Sequence, residues 1–258
     1  MMTRPFPGPV FPAAALVLLA AILAPVLAVL ATMPPSEAIT SFDAAGISAL
    51  HVSLAASLGA TAVATLLGVP AGYYLSRLAP GPRALGTFLL ALPLAFPPVA
   101  SGLMLLYLLG NRSPLGAWLA AHGLPVADTL LGVAAAEFFV SGSFVAIASI
   151  AAFSGIYRVY EDAARTLGVG EWRIFTRIAL PGAAGSVAAG VAFTWLRAIG
   201  EYGATSIVAF HPTALPVALY VTLSAQGVRE ALALCYAFIV LAGAVLGVAW
   251  VFRRGVVL

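Results

Sequence analysis

Residues 157–181 read YRVYEDAARTLGVGEWRIFTRIALP and hold four of the chain's twelve arginines and three of its nine acidic residues. The 258-residue chain around them is 62% hydrophobic and only 8% charged. A charge-rich stretch in so apolar a chain reads as a water-facing segment between membrane spans. Residues 160–167 are mostly good helix formers, Gly168 and Gly170 interrupt them, 171–180 form a second helical run, and Pro181 is expected to close it. The pattern predicts a short helix, a tight turn and another helix. In the first helix Ala163, Ala164 and Leu167 are expected to share a face, the alanines leaving no bulk to hold off a docking partner. In the second, Trp172, Phe175 and Ile178 form an apolar stripe, and Arg173 and Arg177 a basic pair four apart. Such a hairpin buries one side in its own protein and offers the other.

Outward from the hairpin, composition sets the class. A mean hydropathy of +1.08 over the whole chain marks an integral membrane protein rather than a soluble domain. The single cysteine, Cys235, excludes an intrachain disulfide and reads as a packing residue of the last span. There is no lysine, so the Gly-Lys-Ser/Thr element of a P-loop is absent and the chain carries no nucleotide site of that kind. The net charge of +3 is explained by membrane orientation and not by nucleic acid.

Six spans are expected in an all-α membrane domain, over 11–31, 47–75, 84–109, 129–153, 184–210 and 229–252. The first follows Arg4, Pro5, Pro7 and Pro9. Its competing reading is a secretory signal, against which its 21 apolar residues are long. Residues 33–46 form a polar connector, so that 1–46 is an N-terminal helix with its connector, 47–252 the main membrane domain and 253–258 a tail. Tyr73, Tyr74 and Arg77 mark a membrane interface. Gly68 and Gly72 have a spacing that permits close helix approach, though among 25 glycines it also arises by chance. Pro93, Pro97 and Pro98 break the third span, and the carbonyls they free need protein or water beside them, so the break is expected to face the bundle interior or a pore, with Pro97 and Pro98 as candidates for the wall of a pathway and a simple kink as the other reading. Nine arginines collect on one side of the membrane, Arg4, Arg77, Arg83, Arg158, Arg165, Arg173, Arg177, Arg253 and Arg254, against Arg112 and Arg229 on the other. The positive-inside rule then places both termini and the hairpin in the cytoplasm.

The run Asp162-Ala163-Ala164, three residues, Gly168, nine residues, Ile178-Ala179-Leu180-Pro181 resembles the EAA loop of ABC importer permeases, with Asp162 where the family usually has Glu and Glu161 preceding it. Residues 197–204 (RAIGEYGA) and 208–212 (VAFHP), with 93–102 (PLAFPPVASG) and 111–116 (NRSPLG), look like the branch that imports molybdate, tungstate and sulfate. The resemblance covers roughly residues 47–252 and implies a type I importer permease of six transmembrane helices in a bacterial inner membrane. It implies that Glu161, Asp162, Ala163, Ala164, Arg165, Leu167 and Gly168 couple the chain to cytoplasmic ATPase subunits. It further implies a permease homodimer, an extracytoplasmic binding protein that delivers the oxyanion, and ATP and Mg used by the ATPase, with no cofactor bound by this chain.

Inside the membrane, Arg197 and Glu201 lie four residues apart in the fifth span and Glu137 sits at a similar depth in the fourth. A lone arginine at mid-bilayer costs roughly 3 kcal/mol, so the three are expected to form one polar layer that either guides an anion or locks helices together. His51 and His211 have no carboxylate at a metal-ligand spacing and read as solvated or interfacial. Two other classes remain open at this level: an ion-coupled secondary transporter using Glu137, Arg197 and Glu201 as a relay, and an intramembrane enzyme, for which no nucleophile and base pair is evident.

Overall fold

The computed structural model describes residues 10–156 and 158–255; Arg4 with its neighbouring prolines, Tyr157 and residues 256–258 lie outside the described residues. Helix α1 (Val10–Thr32) has no charged residue and buries none of its side chains against the rest of the chain. A helix that is apolar all round needs hydrocarbon or other helices on every face. The polar connector contains a short helix, α2 (Pro35–Ser41), which ties α1 to the far end of the chain. Met33 and Ala38 pack with Ala233, the Tyr236 hydroxyl donates to the Met33 carbonyl, and the Arg229 guanidinium donates to Glu37 at 2.8 Å.

Helix α3 (Ala44–Arg77) starts where the Asp43 carboxylate accepts from the Gly46 amide at 2.8 Å. Its 34 residues make about 50 Å of helix against about 30 Å of hydrocarbon, so an end carrying Tyr73 and Arg77 projects beyond the apolar layer. Its buried face is made of small residues, among them Ala56, Ala60, Ala64, Gly68 and Gly72. These meet α7 (Leu130–Ser154), whose N-cap Thr129 accepts from Gly132. At Gly72 a Cβ would stand 2.5 Å from the Ser149 Cβ and 2.9 Å from the Ala146 carbonyl oxygen. The spacing of Gly68 and Gly72 is therefore a true close approach of two backbones.

Between these helices the third span breaks as the prolines imply. Helices α4 (Pro80–Ala95) and α5 (Pro98–Leu109) meet at 103° across Phe96 and Pro97, with Pro93 accommodated inside α4. A short α6 (Pro114–Ala121) lies in the following loop, its Ser113 cap accepting from Gly116. After α7 come α8 (Val159–Thr166), the four-residue α9 (Glu171–Ile174), a π-helical turn over Phe175–Ala179, α10 (Leu180–Ile199), α11 (Gly203–Val208), α12 (Leu215–Ala225) and α13 (Val228–Gly255). No strand occurs among the described residues. Among the described residues five helices are long and apolar enough to cross a membrane, and the bent pair makes a sixth crossing if it is one span.

Two sequence expectations are corrected. Pro181 does not close the hairpin: the helix runs from Glu171 to Ile199 through the π turn, where the Leu180 amide reaches back five residues to the Phe175 carbonyl. Widening the helix just before the proline absorbs the carbonyl that its ring would strike. The fifth span also ends at Ile199, not at 210, because Gly200 breaks the helix and the chain turns at Glu201 and Tyr202 into α11.

Candidate functional site

The hairpin is held in shape by its turn. Gly168 has φ +76°, the Val169 amide donates to the Ala164 carbonyl at 3.1 Å, and the Gly168 amide donates to the Arg165 carbonyl at 2.9 Å. This is a Schellman ending, in which only a residue without a Cβ sits free of strain. A Cβ at Gly168 would meet nothing within 4 Å, so the position demands glycine for its backbone conformation and not for space. Arg165 staples the two arms, donating to Asp162 at 2.7 Å and to Glu171 at 2.7 and 3.1 Å. Hydrogen bonding to Glu171, and then to Asp162, raises the already high pKa of that guanidinium.

Helix phase divides the residues of α8 differently from the sequence expectation. Ala164 turns inward with Glu161, whereas Ala163 lies outward with Tyr160 and Leu167. Tyr160, Ala163 and Leu167 recur at spacings of three and four along the exposed side of α8, and Glu161 and Ala164 stand three apart on its buried side. In the second arm Ile174, Phe175 and Ala179 are buried, and Trp172 is 72% exposed with its ring 5.4 Å from that of Phe175. Trp172 thus stays outside the buried stripe that Phe175 enters. The exposed side of the hairpin carries three large apolar side chains, Tyr160, Leu167 and Trp172, with Ala163 and Gly168, among charged ones such as Asp162, Glu171 and Arg173.

The inward surface has an ionic centre. Glu161 is fully buried, and both its oxygens accept from Arg77, Oε2 from Nε at 3.0 Å and Oε1 from Nη2. The Tyr73 hydroxyl donates to Oε2 at 3.2 Å. Arg77 Nη1 continues to the Phe153 carbonyl at 2.8 Å, and Arg158 Nη2 donates to the Ser76 carbonyl at 3.1 Å. Both carbonyls lie in the last turn of a helix, where intrahelical donors have run out. Around them Tyr73, Phe153 and Phe175 form an aromatic cluster with ring centroids 5.1–6.1 Å apart. The sequence pattern marks Tyr73 and Arg77 as interface residues, and nothing in it pairs them with a carboxylate 88 and 84 residues later.

The intramembrane residues come together only in part. Arg197 Nη2 and Glu201 Oε2 are 2.6 Å apart, although Glu201 lies past the helix end. Its other oxygen accepts from the Ala204 amide at 2.8 Å, so one carboxylate both neutralises the arginine and starts α11. Glu137 is fully buried in α7 at the level where Ala136 and Val140 pack on Ala204 and Val208, but neither of its oxygens has a partner. Of the expected three-membered layer, Arg197 and Glu201 form an ion pair, and Glu137 is buried near Glu201 without a hydrogen bond to either. Ser101 Oγ and Thr205 Oγ1, on α5 and α11, are likewise buried without partners. The break at Pro97 and Pro98 sits beside this turn: a Cβ on Gly203 would stand 2.6 Å from the Pro98 Cβ, and one on Gly102 would stand 2.9 Å from the Ala204 Cα. Otherwise Pro97 and Pro98 are exposed, as are His51 and His211.

Glu201→Ala removes the acceptor of the Ala204 amide and leaves Arg197 without its counter-ion. Because Arg197 is 32% exposed and can recruit water, the expected cost is at the lower end for such pairs, about 3 kcal/mol. Thermal unfolding of the detergent-solubilised protein measures it, and a variant as stable as wild type would show that the pair does not hold the turn.

Residues 64–253 match the family described as binding-protein-dependent transport system inner membrane component. A probable molybdenum ABC transporter permease protein of Haloferax volcanii is 37% identical over 79% of this chain and 74% of its own length. The molybdate/tungstate transport system permease protein WtpB of Thermococcus kodakarensis is 35% identical over 74% of this chain and 72% of its own. The sulfate transport system permease protein CysW of Synechocystis is 35% identical over 62% and 58%. Among solved structures, the inward-facing MetNI methionine ABC transporter superposes with TM-score 0.67 at 13% identity, covering 81% of this chain and 95% of that one. The bacterial alginate ABC transporter, in complex with a periplasmic protein bound to alginate pentasaccharide, gives 0.57 at 18% identity, covering 90% and 91%. At these identities the likeness is one of fold.

Proposed function

Since the chain belongs to the family of binding-protein-dependent transport system inner membrane components, we propose that it is the permease of an ATP-driven importer for molybdate or tungstate. Sulfate is the second reading, favoured by the likeness to a sulfate permease. The observation that carries the proposal is the two-sided hairpin, which exposes the large apolar side chains of Tyr160, Leu167 and Trp172 on one side and is backed on the other by an ionic centre that fixes its position. Such a surface in water calls for a partner, and a cytoplasmic ATPase is the partner a permease requires. The chain has no lysine with which to build a P-loop, so ATP and Mg belong to that ATPase.

Two copies of the permease would enclose one pathway, each presenting one hairpin to one ATPase, while an extracytoplasmic binding protein delivers the anion. The arginine asymmetry puts the hairpin and both termini in the cytoplasm. Closing of the ATPases on ATP draws the hairpins together, and the helices rock so that the outer side opens as the inner side closes. The bend between α4 and α5 and the Arg197–Glu201 turn, which touch through Pro98 and Gly203, are the parts of the chain best placed to change along that pathway.

Reconstitution of the permease with its ATPase in lipid vesicles tests this reading. Hydrolysis should be stimulated by binding protein loaded with molybdate or tungstate and not by the empty binding protein. Stimulation by sulfate alone would select the second reading, and hydrolysis indifferent to all three loaded forms would remove the oxyanion importer.

A further inference from the structure

Of the residues of α8, only Glu161 and Ala164 are buried, so the helix is attached to the membrane domain chiefly through a charge. A buried carboxylate is costly unless its oxygens are fully engaged, and here both are. The Arg77 guanidinium is planar and presents donors on two edges at once. It holds both Glu161 oxygens and, through Nη1, the last turn of α7 at the Phe153 carbonyl. Arg158, at the start of α8, reaches back to the Ser76 carbonyl in the last turn of α3. The ends of α3 and α7 and the start of the hairpin are thereby cross-tied by directional bonds, with the Tyr73, Phe153 and Phe175 rings closing the space around them. Apolar contact alone would let α8 slide; a two-point ion pair fixes both distance and angle.

We propose that Arg77, Tyr73 and Glu161 are positioning residues that clamp the hairpin to the end of α3, so that displacement of α8 by a docked partner moves α3 with it. The inference rests on the permease reading for the origin of the force, but the clamp itself lies wholly within this chain. Glu161 accordingly acts from inside the hairpin and touches no partner. Asp162, its neighbour, is 65% exposed and bonded only to Arg165.

Two readouts test the clamp. In the purified full-length permease, backbone amides of residues 162–169 should exchange hydrogen at least tenfold faster in Arg77→Lys and in Glu161→Gln than in wild type, with the α7 amides unchanged. Lysine keeps the charge but cannot engage two carboxylate oxygens and the Phe153 carbonyl in one plane. In vesicles with the ATPase and loaded binding protein, anion taken up per ATP hydrolysed should fall about tenfold in both variants, because hairpins that slip do not move α3. Exchange that stays at the wild-type rate, or faster exchange with an unchanged ratio of uptake to hydrolysis, overturns the proposal. Should the wild-type assembly show no anion-stimulated hydrolysis, the permease reading fails on its own account, while the exchange rates still decide whether Arg77 and Glu161 hold α8.

Discussion

Gly72→Leu is expected to leave little folded protein in the membrane. A Cβ at this position would stand 2.5 Å from the Ser149 Cβ, 2.9 Å from the Ala146 carbonyl oxygen and 3.0 Å from the Ile150 amide nitrogen. Two of these three atoms are backbone, so no side chain can swing aside and α3 and α7 must separate. Overpacking of a well-filled interior costs about 1–3 kcal/mol, and an obstruction against helix backbone belongs at or above the top of that range. The seam so opened is where α3 buries Ala56, Ala60, Ala64 and Gly68, and separation would forfeit those contacts too. Gly59 supplies the control. It lies in the same helix, a Cβ there meets nothing within 4 Å, and Gly59→Leu should match wild type or exceed it, since leucine is the better helix former. Recovery of monodisperse protein after extraction, and its unfolding temperature, compare the two. Equal stability of the two variants would mean that the seam is looser than its geometry.

The second large effect is on association. Leu167→Asp changes a side chain that is 82% exposed in the single chain, so the fold should be untouched. In the assembly that side chain would be covered by the ATPase. Loss of a buried leucine forfeits about 2 kcal/mol, and an unpaired carboxylate in the same place adds a comparable penalty. Together these give about 4 kcal/mol, or nearly a thousandfold in Kd. Titration of the solubilised permease with labelled ATPase measures it. Leu124→Asp, also at an exposed apolar side chain but in the loop before α7, should bind the ATPase as wild type does. If Leu167→Asp binds equally well, the outward face of the hairpin is not where the ATPase docks.

The hairpin was legible because its signals are local. Gly168 sits where the turn needs a left-handed residue, and good helix formers flank it. The bend of the third span was legible for the same reason, since Pro97 and Pro98 act on the backbone next to them. What escaped depends on distant partners or on phase. Which of two adjacent acids turns inward was set by Arg77, far upstream, so Glu161 became the buried anchor and Asp162 the exposed residue. The π turn before Pro181 has no composition signal, and without it a proline reads as a terminus. The end of the fifth span at Gly200 was marked by that glycine, but the apolar run beyond it hid the break. Glu137 was expected at the depth of Glu201; its neighbours Ala136 and Val140 pack beside Ala204 and Val208, and whether its carboxyl is hydrogen-bonded cannot be read from depth.

The seam between α3 and α7 has a consequence for motion. Alanine and glycine have no side-chain torsions and serine only one, so Ala60, Ala64, Gly68, Gly72, Ala146 and Ser149 can offer no second set of rotamers. An interface of this kind has one way to fit, is ordered at little entropic cost, and cannot switch between alternative packings. Bistable rearrangement requires long side chains that can interdigitate in more than one way. Those are found where α12 and α13 meet α3, at Leu50, Leu215, Leu219, Leu234 and Phe238. A change of shape that the hairpin drives through α3 should therefore carry α7 along with it as one body, and the contacts free to be exchanged are those with α12 and α13.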